Sequence, residues 1–406
     1  MRLPVSDKTV LYISYNGIRE PLVHSQVLNY IFGLIGYDYR FILLTFEREP
    51  LSVEEITTIS ADLKKKNISW ESLPCCAGLK PLATWLDVLR GAGYAAELCN
   101  TYSVVMIHAR SLVPALIAQK IKNRFHIPYL YDIRGFWIDE KTYKGSMRQG
   151  SVVYRLAKSL EAGAYKSCDA IVSLTDTAIT EIRKFPFWGG KKLPPFATIP
   201  TCVNLEDFTC RMDRLSGPIT FGYVGSLGRG YLAEELFDYF KVVQVHFPDS
   251  RLLIITRTDH KWLLQLAQAK EIFLSSIEIK TVQPKQVPAE VQTIDVGLSF
   301  IEPHYSKKAS CPTKLGEYLA VGIPVVANSN IGDMDRVITE NRVGVILDDF
   351  SAETVEKSLL ELKKMIRSST VSERCVDVAQ RLFSLKKGID DYHALYQKIL
   401  ANSVKG

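Results

Sequence analysis

The sequence predicts an α/β protein of two domains, each built on a parallel sheet covered by helices. Short apolar runs rich in β-branched residues alternate with helical patterns along the chain, which is typical of parallel sheets. The alternation is interrupted at 183–208, where proline, glycine and lysine are concentrated, and such composition marks a domain boundary. At 406 residues the chain is also too long for one ordinary core. We therefore predict an N-terminal domain at 1–202, a C-terminal domain at 203–385 and a trailing helix at 386–406.

In the N-terminal domain, strands are predicted at 9–15, 41–46, 104–111, 129–135 and 169–175. The segment NGIREPLVHS after the first strand predicts a loop, and the following helix is expected to take Ser25 as its N-cap. The stretch 51–66 is acidic at its start and rich in lysine at its end, which favours a helix through the helix dipole. Another short helix is expected from Asp176.

The C-terminal domain repeats the pattern. Strands are predicted at 219–228 (which ends in a glycine turn), 251–256, 294–301, 323–329 and 343–349, and helices at 231–247, 313–321 and 384–403. The last of these helices has no following element with which to pair.

Composition narrows the function classes. The eight cysteines have no zinc-type spacing and fit a reducing cytoplasm. No leader or apolar window long enough to span a bilayer is present, so we expect a cytoplasmic protein. The formal net charge of +6 permits an anionic substrate or membrane surface and is weak evidence for nucleic acid, which we do not expect as a partner.

Ligands of open α/β sheets bind at the carboxyl ends of the strands. Both predicted domains carry polar residues there, so we expect a central cleft between them to be the site. The candidates are Asn16, Gly17, His108, Arg110, Asp132, Arg134, Gly225, Ser226, Leu227, Arg257 and the segment 310–317.

The segment SCPTKLGEYL predicts a phosphate site at a helix start. Ser310 or Cys311 would cap a helix whose first position is Pro312, leaving the amides of Thr313 and Lys314 at the positive end of the dipole. Glu317, one turn later, could accept hydrogen bonds from sugar hydroxyls. The alternative is a capped helix with a surface Lys–Glu pair.

The turn GSLGRG (225–230) also precedes a helix and could bind phosphate through bare amides, with Arg229 and Arg257 as guanidinium partners. The same sequence is equally compatible with a tight turn between strand and helix that binds no ligand. The turn is not GxGxxG and no acidic residue follows at the usual distance, so NAD is not expected.

Two further patterns have simpler interpretations. Asp333-Met334-Asp335 has the DxD form of some metal sites, but Asp333 is expected to be a helix N-cap and no metal is predicted. His108 ends an apolar strand and is either a core residue or a substrate contact; Arg110, two residues later, lies on the same strand face. No hydrolase motif is present.

Together these residues resemble the GT-B glycosyltransferases of the family-4 type. SCPTKLGEYLAVGIPVV is similar to the C-domain motif of that family, FGYVGSLGRG to the first turn of its C-domain, and IHARS and YDIRG to two strand ends of its N-domain. SYNGIREPLVHSQVL resembles the N-terminal stretch of a bacterial polysaccharide-associated subgroup, which typically has Asp-Pro-Leu-Gly before Ser-Gln-Val. The resemblance covers nearly the whole chain.

The resemblance implies two Rossmann-like domains facing a central cleft, with the C-terminal helix crossing back to the N-domain. It implies retaining, metal-independent transfer of a hexose from a nucleotide sugar to a glycan or lipid-linked glycan acceptor in polysaccharide biosynthesis. UDP is the expected nucleotide and glucose the first candidate sugar, on family frequency; no cofactor is expected.

The resemblance also assigns roles. Glu317 would bind ribose hydroxyls; Arg229, Arg257 and Lys314 would bind the diphosphate, and the backbone near Val282 and Gln283 would contact the base. His108 would lie near the transferred sugar. Apart from the resemblance, we interpret Asp132 either as an acceptor contact or as the residue that holds Arg134; His108, Asp132 and Arg134 are the catalytic candidates. The acceptor-side candidates are Asn16, Gly17 and Arg110.

Two positions depart from the family pattern. The family motif has a pair of glutamates, of which Glu317 matches the second; the first, which the family implies contacts the donor sugar, is replaced by Ala309. Thr256-Arg257-Thr258 replaces a glycine turn. The hexose is therefore left open.

Two alternatives to this function remain. The first is a nucleotide-sugar 2-epimerase of the same fold, and the second is a non-catalytic sugar-binding protein, for which the expected leader is missing.

Aromatic and basic residues mix at 135–145 and 184–196. We expect them to form either a peripheral contact with the inner face of the cytoplasmic membrane or a packed linker.

Overall fold

The computed structural model describes residues 8–78, 80–190, 192–210, 217–228, 230–366, 368 and 370–403. The chain divides into two compact units. Unit 1 comprises Met1–Ile199 together with Gly388–Gly406, and unit 2 comprises Pro200–Lys387. The end of the chain therefore belongs to the same unit as its beginning.

Unit 1 is built on a seven-stranded sheet with the order β3-β2-β1-β4-β5-β6-β7, in which every neighbouring pair is parallel. Its strands are β1 Thr9–Ser14, β2 Arg40–Glu47, β3 Ile68–Pro74, β4 Val104–Arg110, β5 Tyr129–Asp132, β6 Ala170–Ser173 and β7 Phe196–Thr198. Its helices are α1 Pro21–Val23, α2 Asn29–Ile35, α3 Val53–Lys65, α4 Lys80–Thr101, α5 Leu112–Phe125, α6 Trp137–Tyr143, α7 Val152–Ser167 and α8 Asp176–Arg183. A π-helical turn, His24–Leu28, joins α1 to α2.

Unit 2 is built on a six-stranded parallel sheet with the order β10-β9-β8-β11-β12-β13. Its strands are β8 Thr220–Val224, β9 Arg251–Ile255, β10 Ile277–Lys280, β11 Val296–Ser299, β12 Val325–Asn328 and β13 Gly344–Leu347. Its helices are α9 Ala233–His246, α10 His260–Ala269, α11 Val287–Val291, α12 Thr313–Ala320, α13 Met334–Asn341, α14 Ala352–Ile366 and α15 Val371–Val378. Helix α16, Leu385–Ser403, follows and packs on unit 1 from Gly388 onward.

Both sheets have the strand order of doubly wound α/β folds. In such folds the strands are added first on one side of the first strand and then on its other side. The central strands are buried on both faces; every residue of β1, β5, β6, β11 and β12 is buried. Burial on both faces explains why the sequence shows continuous apolar runs here. The predicted α/β class with parallel sheets is confirmed.

Three local predictions were wrong. Ser25 does not cap a helix, because the helical segment begins at Pro21, after Glu20, and Ser25 Oγ donates to Pro21 O (3.1 Å). Helix α12 begins at Thr313 with Pro312 as the residue before it, so neither Ser310 nor Cys311 is the cap. Strand β5 ends at Asp132, which places Arg134 in the turn after it rather than in the strand.

Other elements were not predicted. Strands β3 and β10 alternate apolar and polar residues (ISWESLP, IEIK) and lie at the edges of their sheets, where no continuous apolar run is needed. Helix α4 contains Gly91 and Gly93, which weaken the helical signal.

The middle of α16 is buried against the rest of unit 1 through aromatic contacts. Tyr392 and Tyr396 are almost fully buried; the Tyr392 ring meets the Tyr30 ring edge-on at 5.2 Å, and the Tyr396 ring meets the Tyr39 ring at 5.3 Å. Such pairs stabilise by about 0.5–1.5 kcal/mol each beyond area burial. The packing brings two tyrosine hydroxyls to the carboxyl ends of β4 and β5.

Among the described residues, no helix combines the length and the apolar character that crossing a membrane requires.

Candidate functional site

The candidate site in unit 2 starts at the turn after β8. Gly225 has φ +123°, a conformation that L side chains rarely adopt, and its N–H donates to Ile255 O (2.9 Å). Leu227 N donates to Thr258 Oγ1 (3.0 Å), and Thr258 Oγ1 donates to Leu227 O (3.2 Å). The turns after β8 and β9 are therefore fixed to each other, while Ser226 remains exposed.

Lys314, at the start of α12, is the most unusual side chain of this site. It is only 7% exposed, and its Nζ lies 3.5 Å from the centroid of the Tyr223 ring and 5.5 Å from that of Tyr231. A Cβ added to Gly225 would lie 3.5 Å from this Nζ. Within the described chain, Lys314 Nζ has no hydrogen-bond partner. A buried ammonium with three unused donors is costly, so the position is suited to an anion.

Burial shifts the pKa values of Lys314 and Glu317 on α12 in opposite directions. Burial lowers the pKa of Lys314 to about 7, although Glu317 opposes this shift. Burial raises the pKa of Glu317 to about 7, opposed by Lys314. The described residues contain no ion pair between the two side chains within 4.0 Å, so the surface-pair interpretation of this Lys–Glu spacing does not describe the structure.

This pKa predicts proton uptake when a phosphate ligand binds. At pH 8, free Lys314 is mostly neutral and Glu317 mostly ionised; a nearby diphosphate raises the pKa of Lys314 and makes it take up a proton. We expect UDP binding at pH 8 to take up close to one proton, measured by calorimetry in buffers of different ionisation enthalpy. Below pH 6 this uptake by Lys314 should vanish because the amine is already charged. Uptake that is the same in Lys314→Met would contradict the assignment.

The remaining donor-side candidates lie around this edge of the sheet. Thr313 begins α12, and Pro312 and Ser310 precede it; all three are partly buried. Arg257 is exposed two residues after the end of β9. Val282 packs against the unit 2 core, and Gln283 is exposed before the short turn Pro284–Gln286, its N–H donating to Gln286 Oε1 (2.9 Å). Arg229 lies outside the described residues.

Two unpredicted residues shape the same edge. Asn328, at the end of β12, accepts from Ile301 N (2.8 Å) and donates to Ile301 O (2.9 Å). It thereby fixes the strand end from which the chain runs toward Ala309, which is fully buried. The ring of Tyr223 packs against the Lys314 ammonium, and its hydroxyl donates to Ser226 O (2.7 Å).

Asp333 is the residue before α13, and its carboxylate lies 3.3 Å from Arg336 Nη2.

In unit 1, His108 is buried with both ring nitrogens close to a partner. Nδ1 lies 2.6 Å from Tyr396 Oη, and Nε2 lies 3.4 Å from Asp132 Oδ2. Its ring also stacks on Tyr12 with centroids 4.1 Å apart. Burial lowers the pKa of His108 despite the opposing effect of Asp132. A neutral imidazole that donates from Nε2 and accepts at Nδ1 satisfies both contacts.

The Tyr396 contact predicts a stability effect. Tyr396→Phe leaves a buried imidazole nitrogen without its partner, and we expect a loss of about 1–3 kcal/mol in the free energy of unfolding. Chemical denaturation followed by tryptophan fluorescence measures it. Tyr94→Phe is the matched control, because its hydroxyl donates to the partly buried Glu71 (2.6 Å). An equal effect of the two substitutions would contradict a special role for the His108–Tyr396 contact.

Asp132 is the common partner of several groups at this sheet edge. Its Oδ2 accepts from Tyr392 Oη (3.0 Å) and lies 3.8 Å from Arg134 Nη1. Burial opposes ionisation, but Arg134, His108 and Arg110 together lower the pKa of Asp132. Asp132 therefore forms an ion pair with Arg134, and its contact with an acceptor stays a prediction.

The acceptor-side candidates form a chain of hydrogen bonds. Arg110 Nη1 donates to Asn16 Oδ1 (3.1 Å), and Asn16 Nδ2 donates to Glu20 Oε2 (2.5 Å). Gly17 N donates to Glu20 Oε1 (3.2 Å), and a Cβ on Gly17 would overlap Glu47 Oε2. Glu47, which the sequence analysis missed, accepts from Ile18 N (3.0 Å) and Thr45 Oγ1 (2.6 Å). A buried glutamate ending an apolar strand was the available signal.

Part of the aromatic segment 184–196, which was expected either at a membrane or in a packed linker, packs against other residues of unit 1. Trp188 is buried and donates from Nε1 to Ile182 O (2.7 Å), and Phe187 stacks on Tyr165. Helix α4 instead exposes an apolar stripe at Leu82, Trp85, Leu86 and Leu89.

The family comparison identifies the domain to which Lys314 belongs. Residues 213–376 match the family described as glycosyl transferases group 1. This region of the chain is thus similar to group 1 glycosyl transferases. The matched region includes β8, α12 and the loop between β11 and α12. Comparison with curated proteins gives no match.

Solved structures establish the fold over both units. The chain is similar to sucrose-phosphate synthase from Thermosynechococcus elongatus (TM-score 0.72, 14% identity, covering 97% of this chain and 100% of that chain). It is also similar to a glycosyltransferase from Rickettsia africae (0.69, 17%, 97% and 99%) and to HepE from Anabaena in complex with UDP (0.67, 12%, 96% and 100%). The predicted GT-B fold, with two Rossmann-like domains, is confirmed.

The structure brings the predicted residues together in two groups. In unit 2, Lys314 lies beside Gly225, and Glu317 is one turn further along α12. In unit 1, His108, Arg110, Asp132, Arg134 and Asn16 are joined by hydrogen bonds and ion pairs or by strand register, which pairs Arg110 with Asp132.

Proposed function

We propose that this chain is a retaining hexosyltransferase that moves a sugar from a UDP-sugar to a glycan or lipid-linked glycan acceptor in polysaccharide biosynthesis. The observation that carries the proposal is Lys314, buried and without a hydrogen-bond partner in the described chain, beside the Gly225 turn of a group 1 glycosyltransferase domain. An ammonium in this position is matched by one ligand group above all, the diphosphate of a nucleotide sugar.

The chemistry follows from the leaving group. The bond between the anomeric carbon and the diphosphate oxygen breaks while an acceptor hydroxyl forms a new bond on the same face, and the hydroxyl proton passes to the departing diphosphate. Negative charge grows on that diphosphate, and Lys314 with the amides at the start of α12 stabilises it. The exposed Arg257 adds a second cation. We propose that these fixed charges make a divalent cation dispensable, so that turnover persists in EDTA.

Glu317 is proposed to accept hydrogen bonds from the ribose hydroxyls. Its pKa is raised to about 7 by burial, and a charged Lys314 beside a bound diphosphate would restore its ionised form. The backbone at Val282 and Gln283, directly after β10, is proposed to contact the base.

UDP and glucose are the first donor candidates. Among the similar folds, HepE from Anabaena is described in complex with UDP-glucose, and a further one is a lipopolysaccharide outer core galactosyltransferase. At 13% and 12% identity these neighbours suggest candidates without assigning the sugar. Ala309 replaces a sugar-contacting glutamate of the resembled motif and is fully buried, so the hexose must be recognised by other groups.

The experiment begins with a thermal-shift panel of UDP, GDP, ADP and UDP-sugars on the full chain. Binding at a hundredfold excess over Kd stabilises by about 2.7 kcal/mol, and UDP is expected to give the largest shift among the nucleotides. Donor turnover is then followed with a glycan acceptor and without one. A transferred α-linked product from an α-linked donor supports retention. A UDP-sugar of altered configuration formed without acceptor would instead assign the epimerase, and absence of any nucleotide binding would refute both.

We also propose peripheral binding to the inner face of the cytoplasmic membrane through α4. Its exposed stripe contains Trp85, over whose ring Lys120 Nζ lies at 5.3 Å, and Arg90 is exposed beside Leu89. Apolar side chains flanked by basic ones suit an anionic lipid surface. Sedimentation with vesicles containing phosphatidylglycerol tests this: Trp85→Ser with Leu86→Ser should reduce binding, whereas Val245→Ser, an exposed apolar residue of α9, should not. No binding of the wild type at low salt would refute it.

A further inference from the structure

We propose that unit 1 contains an oxyanion-binding site, built by Arg110 and Arg134 at the carboxyl ends of β4 and β5, which takes a phosphate or carboxylate group carried by the acceptor. Placing the anion on the acceptor rests on the proposed transferase function. The anion site itself rests on unit 1 alone.

The two arginines are brought together by strand register. Arg110 is the last residue of β4 and pairs with Asp132, the last residue of β5. Arg134 follows two residues later, with φ +47°, a left-handed conformation that costs energy for a residue with a side chain. The turn thereby keeps Arg134 beside Asp132, with Nη1 3.8 Å from Oδ2.

Both guanidinium groups are buried and use few of their donors. Arg110 is 7% exposed and the Arg134 side chain 8%. Each guanidinium offers five N–H donors, yet Arg110 Nη1 donates to Asn16 Oδ1 (3.1 Å) and Arg134 Nη2 to Gln26 Oε1 (2.9 Å). Arg110 Nε and Arg134 Nη1 have no hydrogen-bond partner in the described residues. Buried charges are normally paired, so these donors point to a ligand.

The charges around the pair do not balance. Asp132 is the carboxylate that both arginines share through register and ion pairing, and it also accepts from Tyr392 and faces His108. A neutral His108 satisfies its contacts and adds no negative charge, which leaves two guanidinium groups against one carboxylate. Burial and the charge of Arg134 lower the pKa of Arg110, as expected for a cation with too few anions nearby.

The neighbouring glutamates do not supply the missing charge. Glu20 is held by Asn16 Nδ2 and Gly17 N and lies 3.9 Å from Arg48 Nε. Glu47 accepts from Ile18 N and Thr45 Oγ1. Each is therefore engaged with its own partners, and an external anion is the group that would complete Arg110 and Arg134.

The chemistry of the ligand follows from the guanidinium fork, which matches the oxygen spacing of phosphate and carboxylate. Both groups occur on sugars and their carriers. A sugar phosphate or a lipid-linked sugar would present phosphate, and a uronic acid would present carboxylate. The shared requirement is an oxyanion.

The test measures binding of glucose 6-phosphate, glucuronate and glucose to the full chain saturated with UDP, by isothermal calorimetry. We expect at least one of the two anionic sugars to bind at least tenfold tighter than glucose, and its affinity to fall at least tenfold in Arg110→Gln. Glucose 6-phosphate alone would assign phosphate, and glucuronate alone carboxylate. Equal affinity for all three, or an anion affinity unchanged in Arg110→Gln, would overturn the proposal.

Two further variants separate this inference from the donor assignment and from misfolding. Lys314→Met, tested with inorganic phosphate without UDP, should retain the Arg110-dependent phosphate binding even though UDP binding is lost. If phosphate binding disappears in Lys314→Met but survives in Arg110→Gln, the anion binds in unit 2 and the inference fails while the donor site stands. Arg110→Lys keeps the positive charge but not the guanidinium fork. It should retain the fold and lower the affinity for the anion at least threefold; full affinity in a folded Arg110→Lys would overturn the role of the fork.

Discussion

Replacing Lys314 with methionine should weaken UDP binding by one to two orders of magnitude and at the same time raise the melting temperature. The first effect follows from the loss of a charge-assisted contact with the diphosphate, which contributes about 1.5–3 kcal/mol and corresponds to roughly 10- to 150-fold in affinity. Calorimetric titration of UDP measures it.

The stabilisation arises because wild-type Lys314 has no hydrogen-bond partner for Nζ within the described residues and is almost fully buried. Burial that lowers its pKa to about 7 shows that the folded unit disfavours the charged amine. Methionine has a similar length, needs no partner and packs well against an aromatic ring such as Tyr223. Removing the unpaired polar group should stabilise unit 2 by about 1–3 kcal/mol, an increase of roughly 2–4 °C per kcal/mol in melting temperature.

The matched control is Lys241→Met. Lys241 is exposed on α9 and pairs with Glu271 (2.7 Å), a contact that contributes about 0–1 kcal/mol. This variant should change neither UDP affinity nor melting temperature appreciably. A Lys314→Met protein that binds UDP normally would place the diphosphate elsewhere, whereas one that loses both binding and stability would make Lys314 a structural residue.

Only part of this site could be predicted from the sequence. Lys314 and Glu317 are separated by three residues, so helical periodicity alone places them one turn apart. The buried environment that gives Lys314 its function is not local. It depends on Tyr223 from β8, whose ring meets the ammonium only after the sheet and α12 have packed.

Unit 1 shows the same limit more strongly. The strand ends carrying His108, Arg110 and Asp132 follow from apolar runs ending in polar residues, and their common edge follows from parallel pairing. The partner of His108 is Tyr396, 288 positions away along the chain, and no spacing rule relates them. The sequence therefore indicated a site at His108 but not the hydroxyl beside its imidazole.

The boundary errors have a local cause. The helical segment before α2 begins at Pro21, whose ring fits a first helical position, and that signal outweighs Ser25. At α12 the same preference suggested Pro312 as the first helical residue, but its ψ of 128° is extended and helical geometry starts at Thr313. A proline near a helix start thus identifies the terminus only to within a residue or two.

Replacing Asp132 with asparagine should cause the largest loss of stability among these variants. The substitution keeps the shape of the side chain but removes the carboxylate that faces Arg134 and His108 and accepts from Tyr392. Breaking a buried ion pair by removing one partner costs about 3–5 kcal/mol, which corresponds to a drop of about 10 °C in the melting temperature of a unit of this size. Scanning calorimetry measures it.

Asp62→Asn is the control for the loss of a carboxylate as such, because Asp62 pairs with Lys65 on the exposed face of α3 (2.9 Å) and should contribute less than about 1 kcal/mol. The pH dependence supplies a second check. The folded-state pKa of Asp132 is lowered, so its stabilisation is present above the unfolded value of about 3.9 and is lost as pH falls through the folded value. The difference between wild type and Asp132→Asn should therefore be full at pH 7 and shrink in strong acid; a difference independent of pH would contradict an electrostatic origin.

Asp132→Asn also connects stability to the inferred oxyanion site. Without its carboxylate, Arg110 and Arg134 face each other with no anion between them, and the cost of their burial increases. An added oxyanion should then reduce the unfavourable free energy of these two buried charges more in the variant than in the wild type. Inorganic phosphate is thus expected to raise the melting temperature of Asp132→Asn by more than that of the wild type, whereas an equal rise in both would separate the stability defect from the anion site.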